Sequence, residues 1–164
     1  SWISRGGKGR GAVPRKRYIL TATAARDLEE LTAWSLARWD ERLTDQYLDD
    51  LHRGAQRLAE NYRFFNPRKE LAGGTGLSLY PVREHYIVYM PVAERHIIIV
   101  SFIRQGRDVP AILRRGAYQI RHELRDIAEK AARGEILIPG RARRTRKASP
   151  GGGRRRRDAK KGRV

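Results

Sequence analysis

A chain of 164 residues, 40% of them apolar, has room for one domain of ordinary size with appendages and can bury a core. It contains no cysteine, which excludes disulfides and thiolate metal sites, and no apolar run approaches the ~20 residues that a membrane-spanning helix needs. The formal net charge of +18 is unevenly spread: residues 1–17 carry six basic and no acidic side chains, residues 133–164 carry thirteen against two, and residues 18–132 carry seventeen against sixteen.

The body is therefore nearly neutral, and the basicity sits at the two ends. "RARRTRKASPGGGRRRRDAKKGRV" has too little apolar surface to offset the entropy of ordering, so a disordered tail is expected over 140–164. Its Arg143, Arg144, Arg146, Lys147, Arg154, Arg155, Arg156, Arg157, Lys160 and Lys161 are candidates for non-specific nucleic-acid contact by counterion release. Any cationic tail does this in solution, so it argues for a place near nucleic acid and not for sequence recognition. The opening "SWISRGGKGRGAVPRKR" lacks the apolar core of a secretory signal, and the only methionine is Met90. A cytoplasmic protein with no membrane partner is expected.

In chain order, "RYILTATA" suits a short strand, with Thr23 as the expected helix N-cap. A helical stretch follows with Leu28, Leu31 and Trp34 at three-residue spacing. After a break near Trp39–Asp40, Leu43, Tyr47, Leu51, Ala55, Leu58 and Tyr62 form one stripe, widened by Leu48. The short break implies a helical hairpin. "NPRKELAGGTG" is a loop; its glycines precede a strand and not a helix, so it fails the context test for a phosphate-binding loop. Strand signals then cover Leu77 to Val82, with Pro81 marking an edge, His85 to Val92, and Arg95 to Arg104. The two-residue connections make these three an antiparallel meander.

The last strand is apolar on both faces, with Ile97, Ile99 and Ile103 expected on one side and Ile98, Val100 and Phe102 on the other. The second face must lie under another helix or await a partner. A third helix is predicted from Pro110 to Arg133, with Ala117, Ile120, Leu124, Ile127 and Ala131 as its stripe and Gly134 as its stop. His85 and His96 stand beside turns and are expected to face solvent; four scattered histidines have no metal-ligand spacing. Trp34 and Trp39 are read first as packing residues of the hairpin.

The order strand, helical hairpin, loop, meander resembles the RelE/ParE toxin superfamily of type II toxin–antitoxin systems, and its ParE-like plasmid-stabilisation branch in particular. Three stretches carry the resemblance: "YLDDLHRGAQRLAEN", "LSLYPVREHYIVYM" with Pro81, Val82 and Tyr89, and "IIIVSFIRQGRDVPAIL" with its close Arg107, Asp108, Val109 and Pro110. The sequence departs from the family at Arg104, where histidine is common, and at Arg83-Glu84, where the family turn has glycine. The resemblance implies an α+β domain, β-α-α-β-β-β, with a helical hairpin packed on a small antiparallel sheet. It sets the organisation as a basic flexible segment over 1–16, a toxin domain over 17–113, a helical extension over 114–139 and the basic tail over 140–164.

The resemblance also implies a toxin that needs no cofactor and is neutralised by a cognate antitoxin protein. ParE-type members poison DNA gyrase, for which only a complementary surface is required. Arg83, Arg104, Arg107 and Asp108 are the candidate contacts with target or antitoxin. RelE-type members are ribosome-dependent mRNA endonucleases, which need a base, an acid and cations for the charge developing on phosphate. On that alternative Arg83, Arg104 and Arg107 would be the cations and Tyr118 the titratable group. Asp108 would repel a phosphate, and no group able to titrate near neutral pH directly follows the last strand, so the gyrase reading leads. A third alternative is a non-toxic nucleic-acid-binding protein acting through its tail. Arg107 and Asp108 also have a structural reading, as residues that pair with neighbouring chain to end the strand. The extension with Ala117, Ile120 and Leu124 is either a cover for the second sheet face or a bystander to an antitoxin segment packed there; as a cover it could be self-inhibitory, or the domain could be a degenerate toxin.

Overall fold

The computed structural model describes residues 16–136; the basic segment before them and every tail cation named above lie outside the described residues. The described residues form β1 (Tyr18–Leu20), α1 (Ala22–Arg38), α2 (Glu41–Asn61), β2 (Ser78–Val82), β3 (His85–Ala93), β4 (His96–Arg104) and α3 (Val109–Ala132). This is the α+β order that the sequence implies. None of these helices is long and apolar enough to cross a membrane.

α1 starts two residues earlier than predicted. The chain turns directly out of β1, and Thr21, not Thr23, is the N-cap: its Oγ1 accepts from the Ala24 N–H at 3.1 Å. Thr21 is also tied to the sheet, because its N–H donates to the Ile99 carbonyl at 3.0 Å and its hydroxyl to the Val100 carbonyl at 3.1 Å. α1 stops at Arg38, and Asp40 caps α2 by accepting from the Leu43 N–H at 2.8 Å. On α2 the predicted stripe holds at Tyr47, Leu51, Ala55 and Leu58, all buried, but Leu43 is 38% exposed. Thr44 takes the inward place in the first turn, three residues before Tyr47 on the same face.

The strands are ordered β1-β4-β3-β2. β2, β3 and β4 form the expected antiparallel meander, and Pro81 lies in the edge strand β2. β1 joins in parallel, with Tyr18 opposite Ile97 and Leu20 opposite Ile99, so the sheet is mixed where a wholly antiparallel one was expected. Pairing between residues so far apart in the chain leaves no local pattern to read.

A bulge reorganises β4. Val88 faces Ser101 while Tyr89 faces Ile99, leaving Val100 as the extra residue. An extra residue inverts the side-chain alternation beyond it. Ile97, Ile99 and Phe102 consequently pack with the helical hairpin, and Ile98, Val100 and Ile103 pack on the opposite side, exchanging the places expected of Phe102 and Ile103.

α3 covers that opposite side. Leu113, Ile120 and Ile127 are buried there with Val88, Ile98 and Val100, so the second apolar face lies under the chain's own helix. Pro110 stands in the first turn, Asp108 caps the helix, and Gly134 follows its end at φ +75°. α3 runs unbroken past position 113. It is pinned at its middle by Glu123, 5% exposed, whose carboxylate accepts from the Thr23 N–H at 2.7 Å and the Thr23 hydroxyl at 2.7 and 2.9 Å.

Candidate functional site

The end of the sheet where β4 stops is open. α1 contributes Asp27, Glu30, Leu31 and Trp34, which share one face of the helix by their three- and four-residue spacing. β3 contributes His85 at its first residue, β4 contributes Phe102 and Arg104, and the turn into α3 contributes Arg107. Together they line a cavity of about 290 Å³.

Arg104 and Arg107 are exposed, and neither forms an ion pair among the described residues. The Arg104 guanidinium lies 5.8 Å from the centre of the Trp34 ring, and Arg38 approaches the same ring at 4.7 Å. Trp34 and Trp39 meet edge to face at 5.4 Å, which makes an aromatic shelf under a cationic rim. Trp34 is thus a packing residue and a site residue together, with Trp39 packed against it.

Two titratable groups in this cavity are committed to structure. His85 is buried, contrary to the expectation that it faces solvent, and so is His96. The reason is the sheet: both open interior strands, and the His85 ring turns in under Trp34, with ring centres 5.1 Å apart. Its Nδ1 bonds the Tyr47 hydroxyl, and the Tyr47 oxygen also accepts from the Glu84 N–H at 3.3 Å. Burial, and secondarily the charge of Arg104, push the His85 pKa down to about 4. Burial raises the Tyr47 hydroxyl to about 12. Asp27 accepts from the Ser101 hydroxyl at 2.6 Å and from the Phe102 N–H at 3.1 Å, and burial still raises its carboxyl above the usual range. Asp27 thereby satisfies a β4 backbone N–H that lies beyond the last β1–β4 pair, Leu20 with Ile99.

Arg83 stands one side chain behind the cavity. It pairs with Asp50 at 2.6 Å and lies 5.3 Å from the Tyr47 ring centre, over the group that holds His85. Its φ of +51° lies in the left-handed region that favours glycine. Asp108 is turned to its own helix, accepting from the Ala111 N–H at 3.2 Å. Tyr118 is not brought to these residues: it is 76% exposed on α3, in a separate depression with Arg121, His122 and Arg125. Sequence reasoning missed Asp27, Tyr47 and His85 as site residues. The signal available was the placement of His85 at the start of a strand and of Trp34 in the last turns of a helix. No group of His, Asp or Glu able to hold a metal ion occurs among the described residues.

Residues 18–109, from β1 to the first residue of α3, match the family model described as the ParE toxin of the type II toxin–antitoxin system parDE. The match spans more than half of the chain, and the chain belongs to the ParE toxin family, which implies a cognate antitoxin as partner. It is 27% identical to Toxin ParE of Escherichia coli over 92 residues, 56% of this chain and 87% of that relative. Most of α3 and the basic C-terminal segment lie beyond the matched region.

Proposed function

We propose that the chain arrests growth by binding DNA gyrase through the β4 end of the sheet, and that its cognate antitoxin reverses this. The observation that carries the reading is the pairing of two cations without ion-pair partners among the described residues, Arg104 and Arg107, with an aromatic shelf in a cavity whose half-buried acid and buried base are already bonded inside the fold. Such a surface suits binding and trapping of a partner. The endonuclease alternative asks more of it. Tyr118 is remote, His85 is a weak base with its pKa near 4, and Asp27 and Glu30 would face an incoming phosphate. For the antitoxin, α3 occupies the second sheet face, which leaves the outer side of the hairpin, where Leu36 and Leu43 are half-exposed.

Pulse-labelling of DNA and protein synthesis in the minutes after induction tests the target. DNA synthesis should fail first, with a damage response; translation failing first would select the endonuclease. Co-expression with the adjacent small reading frame should restore growth and yield a complex, and its failure to do so removes that reading frame as the antitoxin. Toxicity surviving deletion of 140–164 excludes the tail as the main activity.

A further inference from the structure

We propose that the outer face of α3 is a docking surface for duplex DNA, distinct from the β4 end and independent of whether gyrase is the target. Arg114, Tyr118, Arg121 and Arg125 recur at gaps of four, three and four. At 100° per residue they fall within about 60° of one another, and they span about 16 Å of helix axis. All four are exposed, and the stripe faces away from the buried Leu113, Ile120, Glu123 and Ile127. Arg115 and His122 flank it.

This face is built at a cost that a merely solvated helix avoids. Arg121 and Arg125 are a like-charge pair at four-residue spacing, which destabilises a helix by a few tenths of a kcal/mol. None of Arg114, Arg115, Arg121 and Arg125 has an ion-pair partner among the described residues, and one acidic group of this stretch, Glu123, is turned inward to Thr23. The exposed carboxylates beside the stripe are Asp126, 3.8 Å from His122, and Glu129, four residues after Arg125 at the C-terminal end of the stripe. The helix is held rigidly, by its apolar inner face and by the Glu123 clasp, so the cations are presented in fixed register.

The occupant that fits is a polyanion with evenly spaced charge and a groove wide enough for a helix. B-form DNA offers about one charge per 1.7 Å of axis and a major groove about 12 Å wide. The deep, narrow major groove of A-form RNA does not admit a helix. An exposed Tyr118 between arginines adds a hydroxyl for phosphate or base edge.

The test uses the full chain, because its C-terminal segment carries further positive charge that binds any nucleic acid. Affinity for a 20-base-pair DNA duplex is measured from low to moderate NaCl for three proteins: wild type, the triple variant Arg114→Ala, Arg121→Ala, Arg125→Ala, and a charge-matched control, Arg42→Ala, Arg53→Ala, Arg57→Ala on α2. The triple variant should lower the slope of log K against log salt by about 2–3 and weaken binding at least tenfold near physiological salt, with the control close to wild type. Equal losses in both variants, or no loss in either, overturn the proposal, as does an equal loss on duplex RNA. A second reading does not depend on the triple variant folding. Since the chain has no cysteine, Tyr118→Cys and Arg53→Cys can each carry a photo-crosslinker at a unique thiol. DNA adducts should form preferentially from position 118; no preference contradicts the proposal.

Discussion

The Tyr47 hydroxyl and the Nδ1 of His85 lie 2.5 Å apart, and both side chains are buried. One bond thus joins the middle of the hairpin to the first residue of β3 and fixes the floor of the β4-end cavity.

The burial of His85, with the charge of Arg104 beside it, predicts a pH dependence. His85 has its pKa lowered to about 4, so in the window from there up to the unfolded value near 6.5 the unfolded chain binds the extra proton. Stability from this group is therefore complete above pH ~6.5 and is lost as pH falls toward 4, by up to about 3 kcal/mol. His52, whose pKa burial also lowers, adds in the same direction, whereas Asp27, raised by burial, opposes it. Denaturant unfolding at pH 7.5 and 5.0 should show the drop in wild type and a markedly smaller one in His85→Asn. Equal drops in both would remove His85 as the source.

Glu123 joins α3 to the start of α1 through three hydrogen bonds with Thr23, and Arg26 stands 3.7 Å away. Glu123→Ala should cost about 2–3 kcal/mol, since hydrogen bonds to a charged acceptor are each worth about 1.5–3 and truncation strands a half-buried N–H. Hydrogen exchange should rise across Val109–Ala132 with little change in β3 and β4. Uniform loss of protection would instead mean that α3 does not open separately from the sheet.

Much of this arrangement is legible in the sequence, and the parts that are not have identifiable causes. Periodicity locates the three helices and the meander, because amphipathic spacing is local: Leu51 and Leu58 are predicted core and are fully buried. The parallel β1–β4 pairing and the bulge at Val100 are long-range, and they decide which face Phe102 and Ile103 occupy. Of the candidate site residues, Arg104 and Arg107 share a cavity because one ends β4 and the other lies in the turn just after it. Tyr118 is carried away by the rigid length of α3. His85 was misread because a residue beside a turn can still open an interior strand.

Asp108 has a specific role to separate from any contact with a target. As the N-cap of α3 it should be replaceable by Asn at little cost, while Asp108→Ala should lose about 1 kcal/mol. Thermal unfolding of the two variants beside a growth-arrest assay distinguishes the roles. If Asp108→Asn folds normally yet loses toxicity, its charge contacts the target directly.

Gly54 lies where α2 crosses β2: a Cβ there would come within 2.7 Å of Val82 Cγ2. Helix propensity alone favours Gly54→Ala by up to about 1 kcal/mol, but overpacking of this kind costs about 1–3. The substitution should therefore be neutral to destabilising, and adding Val82→Ala should recover part of the loss. A clear gain in melting temperature from Gly54→Ala alone would mean that Val82 yields freely.

The most direct test of the proposed toxin action is purified gyrase supercoiling plasmid DNA in the presence of the purified chain. Wild type should inhibit supercoiling and accumulate cleaved DNA, and Arg104→Ala with Arg107→Ala should weaken this at least tenfold without lowering the melting temperature. Undiminished gyrase activity at saturating wild-type protein, from a preparation that arrests growth when expressed, would contradict it.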